Sequence, residues 1–160
     1  MNTLRLGTTS DIETVARIWH EGWRDGHLGH VPAALAAHRD AAQFRQRVVR
    51  RITHTWVAED PGDGAVLGFF MLDGSELEQI YVDRAARGSG VAGALLRHAQ
   101  TLLRQAGHRV VWLAVVAGNA RARAFYARQG WRDAGPMDYE AETEVGTFTV
   151  PTHRYEIDLA

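Results

Sequence analysis
Apolar positions first recur at helical spacing near the start of the chain. Ile12, Val15, Ala16, Trp19 and Trp23 lie three or four residues apart and predict a helix reaching about Arg24. Ser10-Asp11-Ile12-Glu13 has the spacing of a capping box, with Ser10 as N-cap and Glu13 reaching back. Thr3 to Leu6 reads as a short strand. Gly22, Gly26 and Gly29 loosen the chain, and Pro32 starts a short helix through Ala37. A longer helix is predicted from about Asp40 to Arg51, with Phe44 and Val48 on one face and arginines on the other.

The pattern then changes period. Thr55 to Glu59 and Ala65 to Leu72 read as strands around the turn Asp60-Pro61-Gly62-Asp63-Gly64, a hairpin. Glu76 to Val82 is the next strand. A glycine-rich loop opens a helix with Leu95, Leu96, Ala99, Leu102 and Leu103 as its stripe and Gly107 beyond its end. Val110 to Val116 is almost wholly apolar, as in a strand covered on both faces. Asn119 caps a helix ending near Gln129. Trp131 begins a strand, Tyr139, Glu140 and Glu142 fall in a late acidic loop, and Tyr155, Ile157 and Leu159 alternate in a final strand. A meander leading into a β-α-β unit predicts a single α+β domain over residues 1–160, with a mixed sheet rather than a doubly wound parallel one.

Composition narrows the chemistry. The 160 residues carry 18 basic and 19 acidic side chains, a net charge of −1, so a general nucleic-acid binder is disfavoured. Every basic residue is arginine, and cysteine is absent. That excludes disulfides, a thiol nucleophile, a Schiff-base lysine and the lysine of a P-loop. No apolar run approaches the ~18 residues of a membrane span, and the N-terminus lacks a signal-peptide core. A soluble, cytoplasmic protein without membrane association is expected.

The sharpest motif is Arg87-Gly88-Ser89-Gly90-Val91-Ala92, between a strand and a helix. Glycines let backbone N–H groups converge on an anion at a helix N-terminus, and Arg84 and Arg87 add charged donors. The plain alternative is an ordinary glycine-rich helix start. With Gly93 the stretch also matches G-x-G-x-x-G. However, Asp83 to Arg87 intervene after the strand, and no carboxylate ends the strand Val110 to Val116, both against a nicotinamide site.

Arg87-x-x-Gly90-x-Ala92 resembles the (Gln/Arg)-x-x-Gly-x-(Gly/Ala) signature of the GNAT (Gcn5-related N-acetyltransferase) superfamily. The strand Leu77 to Val82 before it resembles that superfamily's central strand. Asn119, then Phe125-Tyr126, then Gly130-Trp131, resembles its second signature, and the element order matches along essentially the whole chain. The resemblance implies a mostly antiparallel mixed sheet of about seven strands with about four flanking helices. It implies an acyl-CoA donor, most simply acetyl-CoA, with the pyrophosphate on the amides from Gly88 to Ala92. Pantetheine would run along Ile80, Tyr81 and Val82, with Asn119 and Tyr126 beside it. Adjacent parallel strands would part to make room. Dimers are common in the family, although the sequence carries no signal for a homodimer.

The implied reaction is transfer of an acetyl group to a primary amine by direct attack in a ternary complex; the absence of cysteine fits. A different class, a non-catalytic CoA-binding regulatory module, stands as the alternative. Tyr126 matches the family's general acid, and the N–H of Ile80 or Val82 its oxyanion donor. For the base, Glu76 and Glu78 lie two apart on one strand and share a face, where partial shielding would raise the pKa of at least one towards the working pH. Glu76 falls where several family members place a base, with Glu78 as second choice. Trp23, His27 and His30 lie at the end of the first helix and in the loop after it, where the family lines its acceptor pocket, and a histidine there is also a candidate base. His27-x-x-His30 lacks a third metal ligand, so no metal is expected. The acceptor is a small-molecule amine or a peptide.

Overall fold
A computed structural model describes residues 2–159. A seven-stranded sheet has the order β1-β2-β3-β4-β5-β7-β6. The strands are β1 (Thr3–Leu6), β2 (Thr55–Glu59), β3 (Val66–Asp73), β4 (Glu76–Val82), β5 (Val110–Val116), β6 (Arg132–Thr143) and β7 (Gly146–Asp158). The described helices are α1 (Ile12–His27), α2 (Ala33–Ala36), α3 (Ala41–Arg51), α4 (Val91–Gln105) and α5 (Ala120–Arg128). The expected mixed, mostly antiparallel architecture is present: only β4 and β5 run parallel.

The core lies on both faces of the sheet. Val15, Ile18 and Trp19 of α1 and Phe44 and Val48 of α3 pack on Val57, Phe69 and Met71. Leu95, Leu96, Ala99 and Leu103 of α4 pack on Phe70, Leu77, Val111 and Leu113. The strand most completely covered is β3, whose Phe69, Phe70 and Met71 are fully buried. On β5, expected to be covered on both faces, Trp112 and Ala114 are only half-buried. Ala114 faces a cavity, and the Arg154 guanidinium lies 4.4 Å over the Trp112 ring.

Three local readings change. The Asp11 carboxylate accepts the Thr8 N–H at 2.8 Å, so the helix entrance is closed two residues earlier than the Ser10–Glu13 pair implies. Glu13 instead pairs with Arg45 at 2.5 Å. The late acidic segment is not a loop: Tyr139, Glu140 and Glu142 belong to β6, which pairs with β7 from Arg132 to Thr143. Its two prolines hid that hairpin. Pro136 sits on the edge strand, where no ladder N–H is needed on the outer side. Pro151 lies just past Thr152, where pairing of β7 with β5 ends.

Candidate functional site
The parallel pair β4 and β5 meets at one position, Glu76 opposite Trp112, and then parts. β4 stays bonded to β3 through Val82, and Asp83 donates its N–H to the Leu67 carbonyl at 2.8 Å. Successive N–H groups of a strand alternate in direction. The N–H groups of Ile80 and Val82 therefore point away from β3, into the gap beside β5.

A bulge in β4 decides what faces the cavity. Met71 pairs with Gln79 and Leu72 with Leu77, leaving Glu78 as the extra residue. A bulge shifts the side-chain alternation by one. Glu76, Glu78 and Tyr81 thus all line the same cavity of about 680 Å³; Ile80 also borders it, and Ile80 and Val82 pack on the core cluster that includes α4. The cavity extends from β4 and β5 to α1, α2, α3 and β6.

Glu76 is 8% exposed and accepts a hydrogen bond from the Tyr139 hydroxyl at 3.0 Å. Burial raises its pKa to about 7; Glu78 and Asp73 push the same way, while Tyr139 and Arg51 oppose. Glu78 accepts from Arg51 at 3.0 Å, and burial, the largest influence, raises its pKa too. Asp73, Glu76 and Glu78 each bring a carboxylate oxygen within 4.8 Å of the others. Tyr126 lies on the buried face of α5 against Trp131 and Tyr155, and also lines the cavity. Burial, then the neighbouring Tyr81, raises its pKa and keeps the phenol protonated.

The α1 wall is held close by small residues. A Cβ on Gly22 would stand 2.4 Å from the Tyr81 ring, so only glycine lets the helix reach β4 there. Trp23 and His27 stack at 5.0 Å between centroids and both line the cavity. His27 is kept neutral: burial drives its pKa down to about 4. His30 is exposed, lies outside the cavity wall and rests against Gly118.

The glycine loop leaves its backbone open. Gly88 and Gly90 have φ of +76° and +88°, and the space where their Cβ atoms would be is open. α4 begins at Val91 with no side chain capping its N-terminus, so its first N–H groups are free for a ligand. These groups fit a pyrophosphate. Arg87 differs from the expectation: it and Arg84 are both held by Asp25 of α1, each at 2.7 Å. Asn119 caps α5 by accepting from Ala122 at 3.2 Å.

Tyr139, Glu140 and Glu142, which the sequence places in a loop able to border the acceptor, line the cavity from β6. Three cavity side chains escape the sequence: nothing marks Arg39, and Arg47 and Arg51 read as part of the polar face of their helix. Yet Arg47 and Arg51 follow Phe44 and Val48 by three residues and so flank the apolar face. That spacing was the available signal.

A family model described as Acetyltransferase (GNAT) family matches residues 13–131. The chain belongs to the GNAT acetyltransferase family. A mycothiol acetyltransferase of Clavibacter sepedonicus is 38% identical over 116 residues, 63% of this chain and 37% of that protein. The corresponding protein of Beutenbergia cavernae is matched over 27% of its length, so the chain spans well under half of either. An uncharacterized N-acetyltransferase of Mycobacterium tuberculosis is 33% identical over 115 residues, 69% of this chain and 72% of that protein. Among solved structures, yncA of Salmonella typhimurium, described with its cofactor acetyl-CoA, superposes with a TM-score of 0.72. It is 16% identical, with 100% of this chain and 95% of that one covered. Among the described residues, no helix is long and apolar enough to cross a membrane.

Proposed function
We propose that the chain is an acetyl-CoA-dependent N-acetyltransferase that acts on a primary amine by direct attack. The observation that carries this reading is the parting of β4 and β5 between a phosphate cradle and Glu76, a carboxylate buried and tuned to about pH 7. When bound, acetyl-CoA supplies an acetyl thioester and departs as the thiol. The amides from Gly88 to Ala92 would hold its pyrophosphate, and Ile80 to Val82 its pantetheine arm.

The protein's own groups then have defined tasks. An amine attacks only when neutral, so a proton must leave it. Glu76, half ionised near pH 7, accepts that proton directly or through water. Charge gathering on the acyl oxygen needs a donor that is already in place, and the Ile80 and Val82 N–H groups aim into the gap. The departing sulfur needs a proton, which the buried, protonated Tyr126 phenol can give. Trp23 and His27 form an apolar wall for the acceptor. Glu78, bound to Arg51, is the weaker candidate base because its charge is already satisfied.

The test is CoA release from acetyl-CoA against a panel of amines. Turnover with intersecting double-reciprocal lines is expected, as a ternary complex requires. Parallel lines, or an acetylated protein formed without acceptor, would reject direct attack. CoA binding without release for every amine would reject the enzyme reading.

A further inference from the structure
The cavity has a second charged end that acyl transfer alone does not explain. Arg39, from the turn after α2, is 5% exposed. Its Nη2 donates to the Glu142 carbonyl at 2.8 Å, while its Nε and Nη1 are buried without a partner. Arg47 of α3 stacks its guanidinium 4.1 Å over the Trp19 ring, and its Nη1 is also buried without a partner. Both line the cavity. His27 and Tyr81 line the same cavity.

Among the described residues, no carboxylate forms an ion pair with either cation. The carboxylate that acts on Arg39 is Glu144, itself largely exposed and paired with His38. For Arg47 it is Glu78, already bound by Arg51. His27 is neutral and offers no compensation. Burying an unpaired guanidinium is costly, and a fold that retains two in one cavity has a use for them. Two forked donors with free N–H groups match a carboxylate or a phosphonate.

We infer that the acceptor is an amine bearing an anionic group, and that Arg39 and Arg47 bind the anion while the amine faces Glu76. The inference deepens the acetyltransferase reading and rests on it for the position of the amine. A small amino acid or an aminoalkylphosphonate has the required chemistry, and a cavity of about 680 Å³ is of the size that holds small molecules. A polycationic amine has the wrong sign for this end.

The test is calorimetric titration of the CoA-loaded protein with matched compounds. These are amino acids of increasing spacer length, their carboxamides, aminoalkylphosphonates and a polyamine. Acids are expected to bind at least tenfold tighter than their carboxamides. The carboxylate and phosphonate arms identify which anion is used. In Arg47→Gln and Arg39→Lys the acid-to-amide ratio should fall towards one, with acetyl-CoA affinity retained. Should Arg39→Lys fail to fold, as melting would reveal, Arg47→Gln carries the test. Equal binding of amides or polyamines, an unchanged ratio in the variants, or no binding by any anionic compound overturns the inference. Acid-selective binding without CoA release would leave it standing and reject the acetyltransferase reading instead.

Discussion

The two ends of the cavity treat charge in opposite ways. At the β4 end, the protein answers most of its own charge: Arg51 binds Glu78 at 3.0 Å, and Tyr139 donates to Glu76 at 3.0 Å. At the far end, Arg39 and Arg47 keep buried donors with no partner. The contrast is sharpest on α3 itself. Arg47 and Arg51 stand one turn apart, the same residue type on the same side. Arg51 is spent on a carboxylate and on the Leu72 carbonyl at 2.9 Å, with only its Nε unpartnered, while Arg47 has only the faces of Trp19 and Phe44. Such a cation–π contact is worth about 2 kcal/mol when desolvated, less than the several kcal/mol that burying a charge costs. Residue type and helix position therefore do not separate a structural arginine from a ligand-binding one; the presence of a protein partner does.

The acidic end breaks most severely when Glu76 is replaced. Glu76→Gln is expected to lower kcat/KM by about 10²–10³-fold, the usual scale for losing a general base. The wild-type rate should rise with pH through about 7, where Glu76 ionises, and flatten above it. Tyr139, Glu78, Asp73 and Arg51 face the same carboxylate, so the profile reports all of them together. A rise through the same pH in the Gln variant would remove Glu76 as the base. Next in size, Tyr126→Phe should reduce kcat by about 100-fold, the lower end of general-acid magnitudes. Acetyl-CoA affinity measured by titration should barely change. Unchanged kcat would make Tyr126 a packing residue against Trp131 and Tyr155.

The two ends also differ in how much of them the sequence disclosed. The cradle and the β4 strand were readable because their demands are local. Positive-φ positions want glycine, a helix start wants free amides, and Glu76 and Glu78 lie on one short run. The same-face argument for these two carboxylates holds as far as Glu78, and the bulge there then brings Tyr81 to the side of Glu76 and Glu78. A bulge depends on the partner strand, so no single strand announces it. The arginine end was hidden because Arg39, Arg47 and Glu142 lie on three elements joined only by folding. The β6 strand was hidden because Pro136 and a run of acids suggest a loop, although an edge strand tolerates both.

A milder perturbation separates the cavity from the cradle. Gly90→Ala forces a side chain into φ of +88°, a strain of about 1–2 kcal/mol. Acetyl-CoA affinity should fall about tenfold, with the acid-to-amide preference of the acceptor site intact. If that preference collapsed as well, the cradle and the arginine end would be one coupled unit rather than two.

The smallest effect concerns stability and has the opposite sign to the loss of activity. The Glu76 pKa rises from 4.5 in the unfolded chain to about 7 in the fold, so burial penalises its ionised form. Below pH 4.5 the group is protonated in both states and contributes no difference. Between pH 4.5 and 7 the unfolded state ionises first, and native stability falls as pH rises. Above pH 7 both states are ionised and the full penalty remains. Gln has no proton to lose and still accepts from Tyr139, so Glu76→Gln should be more stable than the wild type above pH 7. The gain should be on the order of 1 kcal/mol, because the amide keeps part of the desolvation cost. It should vanish near pH 4.5. Melting curves at the two pH values read it directly, and an equal gain at both would mean that packing rather than ionisation sets the difference. A catalytic carboxylate held at a cost to the fold is the expected trade between stability and activity. The unpartnered Arg47, whose pKa burial lowers to about 9, stands under the same tension at the other end of the cavity.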